Sequence, residues 1–375
     1  MRSPDHQPAS RTRRREAARL LLHPGQLRDS LSLAPQTSLR NATLAGFQAA
    51  LTALIALPIV VLSPWAHLIG FASLGALVAL FGRFAPAGRR KSVVLLCGLL
   101  QTAAVLMMSI AVWLGASHGV QLALLAIWCG VCLFVTIVGR FGPPGALIFV
   151  FAASAAMAPE LALGQVIERS AATALIAFLA WLICLGTEAL RHAPSFVEQA
   201  PEPPLPPLRA RLTAAARTVA GAAMAIVASL AFDGQHPAWA AMGALAVMQG
   251  AQLHIVMNRA LQRMGGTLIG ALLAWLLLLQ DPSVWILIGA LAALQLLTEM
   301  VIGVNYAFGQ VLVTPMALVM TYLGAGGAVG PDMASDRILE TLIGVAVGVV
   351  LAVLFSTADE RLHLARRRLD PEPGP

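Results

Sequence analysis

Arg259 and Arg263, four residues apart and followed by Gly266, Thr267 and Gly270, form the most chemically pointed stretch of this chain, R-x-x-x-R-x-x-G-T-x-x-G. On a helix, residues at i and i+4 share a face. Two guanidiniums there would present paired positive charge to an anion, while the glycines let a second backbone approach closely. A plainer role fits the same residues, with the arginines anchoring a membrane helix at its cytoplasmic end and the glycines forming a packing notch. Gln249 before this stretch, and Asn305 and Thr314 after it, are further polar groups available to a substrate. Pro315 has no backbone N–H, so a helix running through Thr314-Pro315 is expected to break there and turn a freed carbonyl toward a cavity.

Glu299 shares an apolar block with Gln295 and is the intramembrane carboxylate of most interest. It is expected either to take a proton that couples transport to a proton gradient, or to sit at the membrane surface solvated by headgroup water. Arg169 and Arg337 directly follow Glu168 and Asp336 at the starts of two blocks. Local ion pairs are the expectation for both, with guidance of an anion out of a pore as the other reading. Cys129 and Cys132 have C-x-x-C spacing, which on one helix supplies two ligands at most. With Cys97 and Cys184 they read as packing residues, not as a metal site or a disulfide framework. Neither a Walker loop nor a zinc-ligand set nor a nucleophile motif is present, so no enzyme activity, metal or cofactor is expected.

The elements that must position these residues are membrane helices. With 58% hydrophobic and 11% charged residues and a mean hydropathy of +0.78, the chain has too little polar surface for a soluble body of 375 residues. Its apolar residues fall into blocks of roughly 16 to 22, long enough to cross a ~30 Å hydrocarbon layer as helices. Ser63-Pro64, Pro86, Gly142-Pro143-Pro144-Gly145 and Pro159 punctuate them. The expected fold is an all-α membrane protein of about twelve transmembrane helices. Residues 43–190 and 209–356 form two six-helix halves, flanked by a basic segment 1–42, a Pro-rich linker 191–208 and a basic tail 357–375. The segment 1–42 contains no apolar run of the signal-peptide kind, so the block from Thr43 is read as a retained anchor.

Several landmarks recur 168 residues apart: Glu168-Arg169 with Asp336-Arg337, Thr173 with Thr341, Gly75-Ala76-Leu77 with Gly243-Ala244-Leu245, and Lys91 with Arg259. That constancy suggests two parallel repeats. Counted block by block, 23 of the 25 basic residues fall on one side and only Arg169 and Arg337 on the other. The basic side, including both termini, is therefore read as cytoplasmic. Within the leader, Arg11 to Leu22 is expected to lie on anionic lipid as a short amphipathic helix, and topology explains its charge without nucleic acid. A composition of 24 Arg against one Lys points to a GC-rich bacterial genome.

The stretch Arg259 to Gly270, the later NYAFGQVLVTPMAL from Asn305 to Leu318 with its Tyr306 and Pro315, and Asp336-Arg337 with Thr341-Leu342-Ile343-Gly344 together resemble the fusaric acid resistance (FUSC) family. That family includes aromatic acid exporters and is similar to the aluminium-activated malate transporters. The resemblance spans about Leu208 to Phe355 and is weak over the first half, where Lys91 and Leu95 take the places of the two motif arginines. It implies efflux of small organic anions, aromatic or other carboxylic acids, from the bacterial inner membrane, with a periplasmic adaptor protein or a homo-oligomer as partner. The soluble region usual in exporters of this family is reduced here to the linker around Pro194 to Pro207. A passive anion channel, and a membrane scaffold or envelope protein without a substrate, are the alternative readings.

Overall fold

The structure, a computed structural model, describes residues 14–35, 38–86, 88–192, 204–250, 252–327, 330 and 332–369, with 366–369 as backbone only. The leader before Arg14, most of the Pro-rich linker and the last residues of the tail lie outside the described residues.

All regular structure among the described residues is helical. Two short helices, α1 (Arg14–Leu21) and α2 (Pro24–Ser30), come first. The first half contains α3 (Leu39–Val61), α4 (Ile69–Ala76, with 3-10 turns Ala66–Leu68 and Leu77–Leu80 at its ends), α5 (Arg90–Trp113), α6 (His118–Gly139), α7 (Leu147–Ala155) and α8 (Leu163–Gly186). The second contains α9 (Leu208–Ala231), α10 (Pro237–Met248), α11 (Leu253–Leu278), α12 (Val284–Val301), α13 (Tyr306–Gly324) and α14 (Met333–Leu354), followed by α15 (Ala358–Leu369).

Among the described residues nine of these helices are long and apolar enough to cross a membrane, namely α3, α5, α6, α8, α9 and α11 to α14. The count of about twelve therefore meets nine full-length helices and three short ones. Pro237 opens α10 and Gly142-Pro143-Pro144-Gly145 lies just before α7, whereas α4 tightens into 3-10 geometry at both ends. The short helices need not reach both faces of a bilayer. Every residue of α4 is buried, as is nearly all of α10, so other helices and not lipid surround them.

Side-chain size sorts between the interior and the outer surface. On α3, Ala42, Ala45, Gly46, Ala49, Ala53 and Ala56 face inward, while Phe47, Leu54, Ile55, Ile59 and Leu62 are exposed. Small residues at helix contacts and large apolar ones outside are what lipid solvation favours, because lipid gives Leu no reason to hide and close backbone approach maximises packing. Gly344 makes the point most sharply. A Cβ there would strike the Ala240 carbonyl of α10, so α14 can lie on α10 only with glycine at that position.

The helices of the two halves choose corresponding neighbours. α5 packs on α8 and α11 on α14, α4 on α8 and α10 on α14, α5 on α7 and α11 on α13. Between the halves, α3 packs on α12 and α6 on α9. Burial shifts one of the landmarks, since Lys91 is exposed and Arg90 is buried. The inward faces of α5 and α11 coincide when Arg90 is set against Arg259, Val94 against Arg263 and Gly98 against Thr267. A one-residue error turns a side chain about 100° around a helix, which is why the spacing alone chose the neighbouring Lys91.

Candidate functional site

α11 presents Arg259, Arg263 and Thr267 at successive i, i+4 positions, and α13 presents Tyr306, Gln310 and Thr314 at the same spacing. The glycines bring these stripes together. A Cβ on Gly266 would lie 2.6 Å from the Ala307 carbonyl oxygen, and one on Gly270 would lie 2.6 Å from that of Val311. Arg263 is only 1% exposed, and its Nη1 donates to the Tyr306 hydroxyl and to Gln310 Oε1, each at 3.2 Å. The guanidinium of half-buried Arg259 lies over the Tyr306 ring, 5.8 Å from its centre. Both motif arginines thus meet Tyr306, and Arg263 is a deeply buried cation instead of a surface anchor.

Other expected site residues have different occupations. Thr314 donates its hydroxyl back to the Gln310 carbonyl at 2.9 Å, and α13 continues unbroken through Pro315. The carbonyl four residues before Pro315 belongs to Val311. It faces Gly270 of α11 and not a cavity, because the glycine lets the neighbouring backbone cover it. Asn305 caps α13 by accepting from Ala307 N at 2.8 Å, while its Nδ2 donates to the Ser30 and Ser32 carbonyls at 3.1 and 2.9 Å. Its polar groups are therefore engaged with the chain just after α2. Gln249 lies at the end of α10 beside Gly145 of the first half and does not join the Arg263 group.

The leader covers this end of α11 and α13. Gln26 donates to the His254 carbonyl at 3.1 Å, Gln262 donates to the Ser30 carbonyl at 2.7 Å, and Ala34 N donates to the Val304 carbonyl at 2.9 Å. Ala17 and Leu21 of α1 pack with Leu253 and with Leu364 of α15. That part of the leader's apolar face, expected to meet lipid, meets protein instead.

Glu299 is 2% exposed and forms an ion pair with Arg83, from the loop between α4 and α5. It is not a solvated surface carboxylate. The pair crosses from one half of the chain to the other, and spacing carried no signal for it, since 216 residues separate the partners. Burial lowers the Arg83 guanidinium to about 10, still well above neutral pH. In the first half, Arg90 donates to Gln48 Oε1 and to Cys184 Sγ and lies 3.6 Å from Glu188, which also pairs with Arg191 at 2.9 Å.

At the opposite end, the ion pairs expected within Glu168-Arg169 and Asp336-Arg337 give way to pairs with histidines. Glu168 meets His67 at 3.1 Å and Asp336 meets His236 at 3.2 Å. Adjacent helical residues point about 100° apart, which separates each acid from its arginine. The arginines instead lie over aromatic rings, Arg169 over Phe71 at 5.0 Å and Arg337 over Trp239 at 5.1 Å. Phe71 and Trp239 are themselves 168 residues apart, a spacing that would have found both contacts. Arg169 is half-buried and lines a cavity of about 350 Å³ with Phe71, His236 and Trp239. Arg337 is 4% exposed and so lies inside the bundle and not on an outer surface.

Comparison with known proteins places this group within one region. Residues 222–351 match the family described as fusaric acid resistance protein-like. The chain is also 35% identical over 127 residues to an uncharacterized membrane protein, YvaC, of Bacillus subtilis (strain 168). That match covers 34% of this chain and 20% of the relative's length. No solved structure matches. The second half thus carries a fusaric acid resistance protein-like region, in line with the motif resemblance, on a multi-pass membrane protein.

Proposed function

We propose that this chain exports small organic anions, aromatic or other carboxylic acids, across a bacterial inner membrane, with both termini in the cytoplasm. The observation that carries the reading is Arg263, a buried guanidinium held by Tyr306 and Gln310 and without an ion pair among the described residues. Cations inside a membrane bundle are costly and mark ion or substrate pathways. The matched region, 222–351, contains Arg259, Arg263, Tyr306 and Arg337 together. In this reading the halves are parallel repeats around a common axis, which the corresponding helix neighbours and the repeated arginine-on-ring contacts support. The second half carries the anion.

Efflux from vesicles loaded with a panel of carboxylates, with and without a proton gradient, tests this. Arg263→Ala is expected to reduce carboxylate efflux by about tenfold or more at equal protein level, the scale of one charge-assisted contact. Unchanged efflux in that variant removes the proposal.

One observation favours a passive anion pathway as the second reading. Glu299, the carboxylate proposed for proton coupling, neutralises Arg83, and protonating it would leave a buried guanidinium uncompensated. Single-channel recording separates the two, since currents far above carrier turnover belong to a channel.

A further inference from the structure

Among the described residues, several buried hydrogen-bond donors without a partner flank two like charges on α11 and α14. Arg263 Nε, Arg337 Nε and Nη1, and the hydroxyls of Thr267 and Thr341 are all buried without a hydrogen-bond partner among the described residues. Thr267 lies one turn beyond Arg263 on α11, and Thr341 one turn beyond Arg337 on α14. The two helices pack together, with Val345 of α14 seated among Val256 and Ala260 of α11. Moving back along α14 from Val345 by one and two turns reaches Thr341 and Arg337. Moving forward along α11 from Ala260 reaches Arg263 and Thr267.

The open hydroxyls of Thr267 and Thr341, shared in the second half by Thr298 of α12, contrast with other helical threonines that close on themselves. Thr102, Thr218 and Thr314 each donate to the carbonyl four residues earlier, at 2.9 Å. Thr173, 168 residues before Thr341, does the same to Arg169 at 3.0 Å and also reaches the Phe71 carbonyl. Thr267 and Thr341 make no such bond. Glu340, three residues beyond Arg337 on α14, accepts through Oε1 from the Ser229 hydroxyl at 2.9 Å and from His236 N at 3.3 Å, while its Oε2 is buried without a hydrogen-bond partner among the described residues. Among the described residues neither guanidinium forms an ion pair, and a buried charge left so is costly unless an anion offsets it.

We propose that Arg263, Arg337, Thr267 and Thr341 form a site for a single carboxylate group between α11 and α14. A carboxylate offers two oxygens with about four acceptor sites, enough to receive both guanidiniums and the hydroxyls together. The choice of carboxylate over other anions rests on the transport reading above. Arg337, which orientation alone assigns to the outer surface, becomes the second cation of the site.

Sodium formate is the probe. Thermal unfolding of the purified full chain in detergent is followed against formate concentration, with sodium chloride making up constant ionic strength and neutral formamide as a control. Formate is expected to raise the midpoint saturably and formamide to leave it unmoved. Arg337→Met is expected to abolish the formate shift. Thr341→Val, which keeps shape and fold, is expected to weaken the half-saturating concentration by about tenfold. No saturable shift, a shift equally large with formamide, or wild-type formate affinity in Thr341→Val and Arg337→Met would each overturn the site. The vesicle assay stands apart. Formate binding without carboxylate efflux removes the transport reading and leaves the site, whereas efflux without formate binding removes the site.

Discussion

In the first half of the chain, the buried arginine of α5 is surrounded by acceptors: Arg90 has Gln48, Cys184 and Glu188 around it. In the second half, Arg263 has two neutral partners and Arg337 lies over an aromatic ring. The helices that hold them are alike in order and in neighbours, and the facing positions differ. Val94 stands where Arg263 stands, Gly98 where Thr267 stands, and Thr173 satisfies itself where Thr341 does not. One scaffold thus appears in a self-neutralised and a donor-rich form. The difference teaches that the polar content of a membrane bundle follows from what must be offset. A guanidinium with a carboxylate beside it is complete, whereas two without one require an anion from elsewhere.

The contrast breaks most severely at the contact joining the halves. Glu299→Gln is expected to lower stability by about 3–5 kcal/mol, because Arg83 keeps its charge at neutral pH and loses its partner. The double variant Arg83→Met/Glu299→Leu should recover most of that loss. Unfolding of the three variants in detergent measures both, and equal losses in single and double variants would show that the pair does not act as a unit.

The next effect compares two arginines of opposite standing. Arg90→Met removes a cation that has a carboxylate beside it and is expected to cost about 1–3 kcal/mol. Arg337→Met removes an uncompensated one and, in anion-poor buffer, is expected to be neutral or stabilising. If both destabilise equally under those conditions, the distinction between the halves fails.

The smallest effect concerns backbone approach. Gly270→Ala places a methyl against the Val311 carbonyl and is expected to cost about 1–3 kcal/mol. Gly98→Ala meets only the Ala177 methyl at 3.4 Å, an ordinary contact, and is expected to change stability by less than about 0.5 kcal/mol. Thermal midpoints of the two variants make the comparison.

Much of the architecture was legible in the residues themselves. Apolar blocks read as helices because a spanning segment must satisfy its backbone internally, and the prolines and glycines that interrupt those blocks lie close to the observed helix ends. The Arg259 to Gly270 motif was legible because i, i+4 spacing puts charge and notch on one helix whatever surrounds it. Where the chain lies in sequence also marked the second half as the chemically loaded one.

The tertiary structure alone decided which charges meet. Glu299 finds Arg83, Asp336 and Glu168 find histidines, Asn305 holds the leader, and Arg337 is buried over the Trp239 ring. Periodicity reports the face of one helix and cannot report which other helix that face meets. In a low-dielectric interior the partner across the gap decides whether a buried charge is neutralised in place or remains to receive an anion.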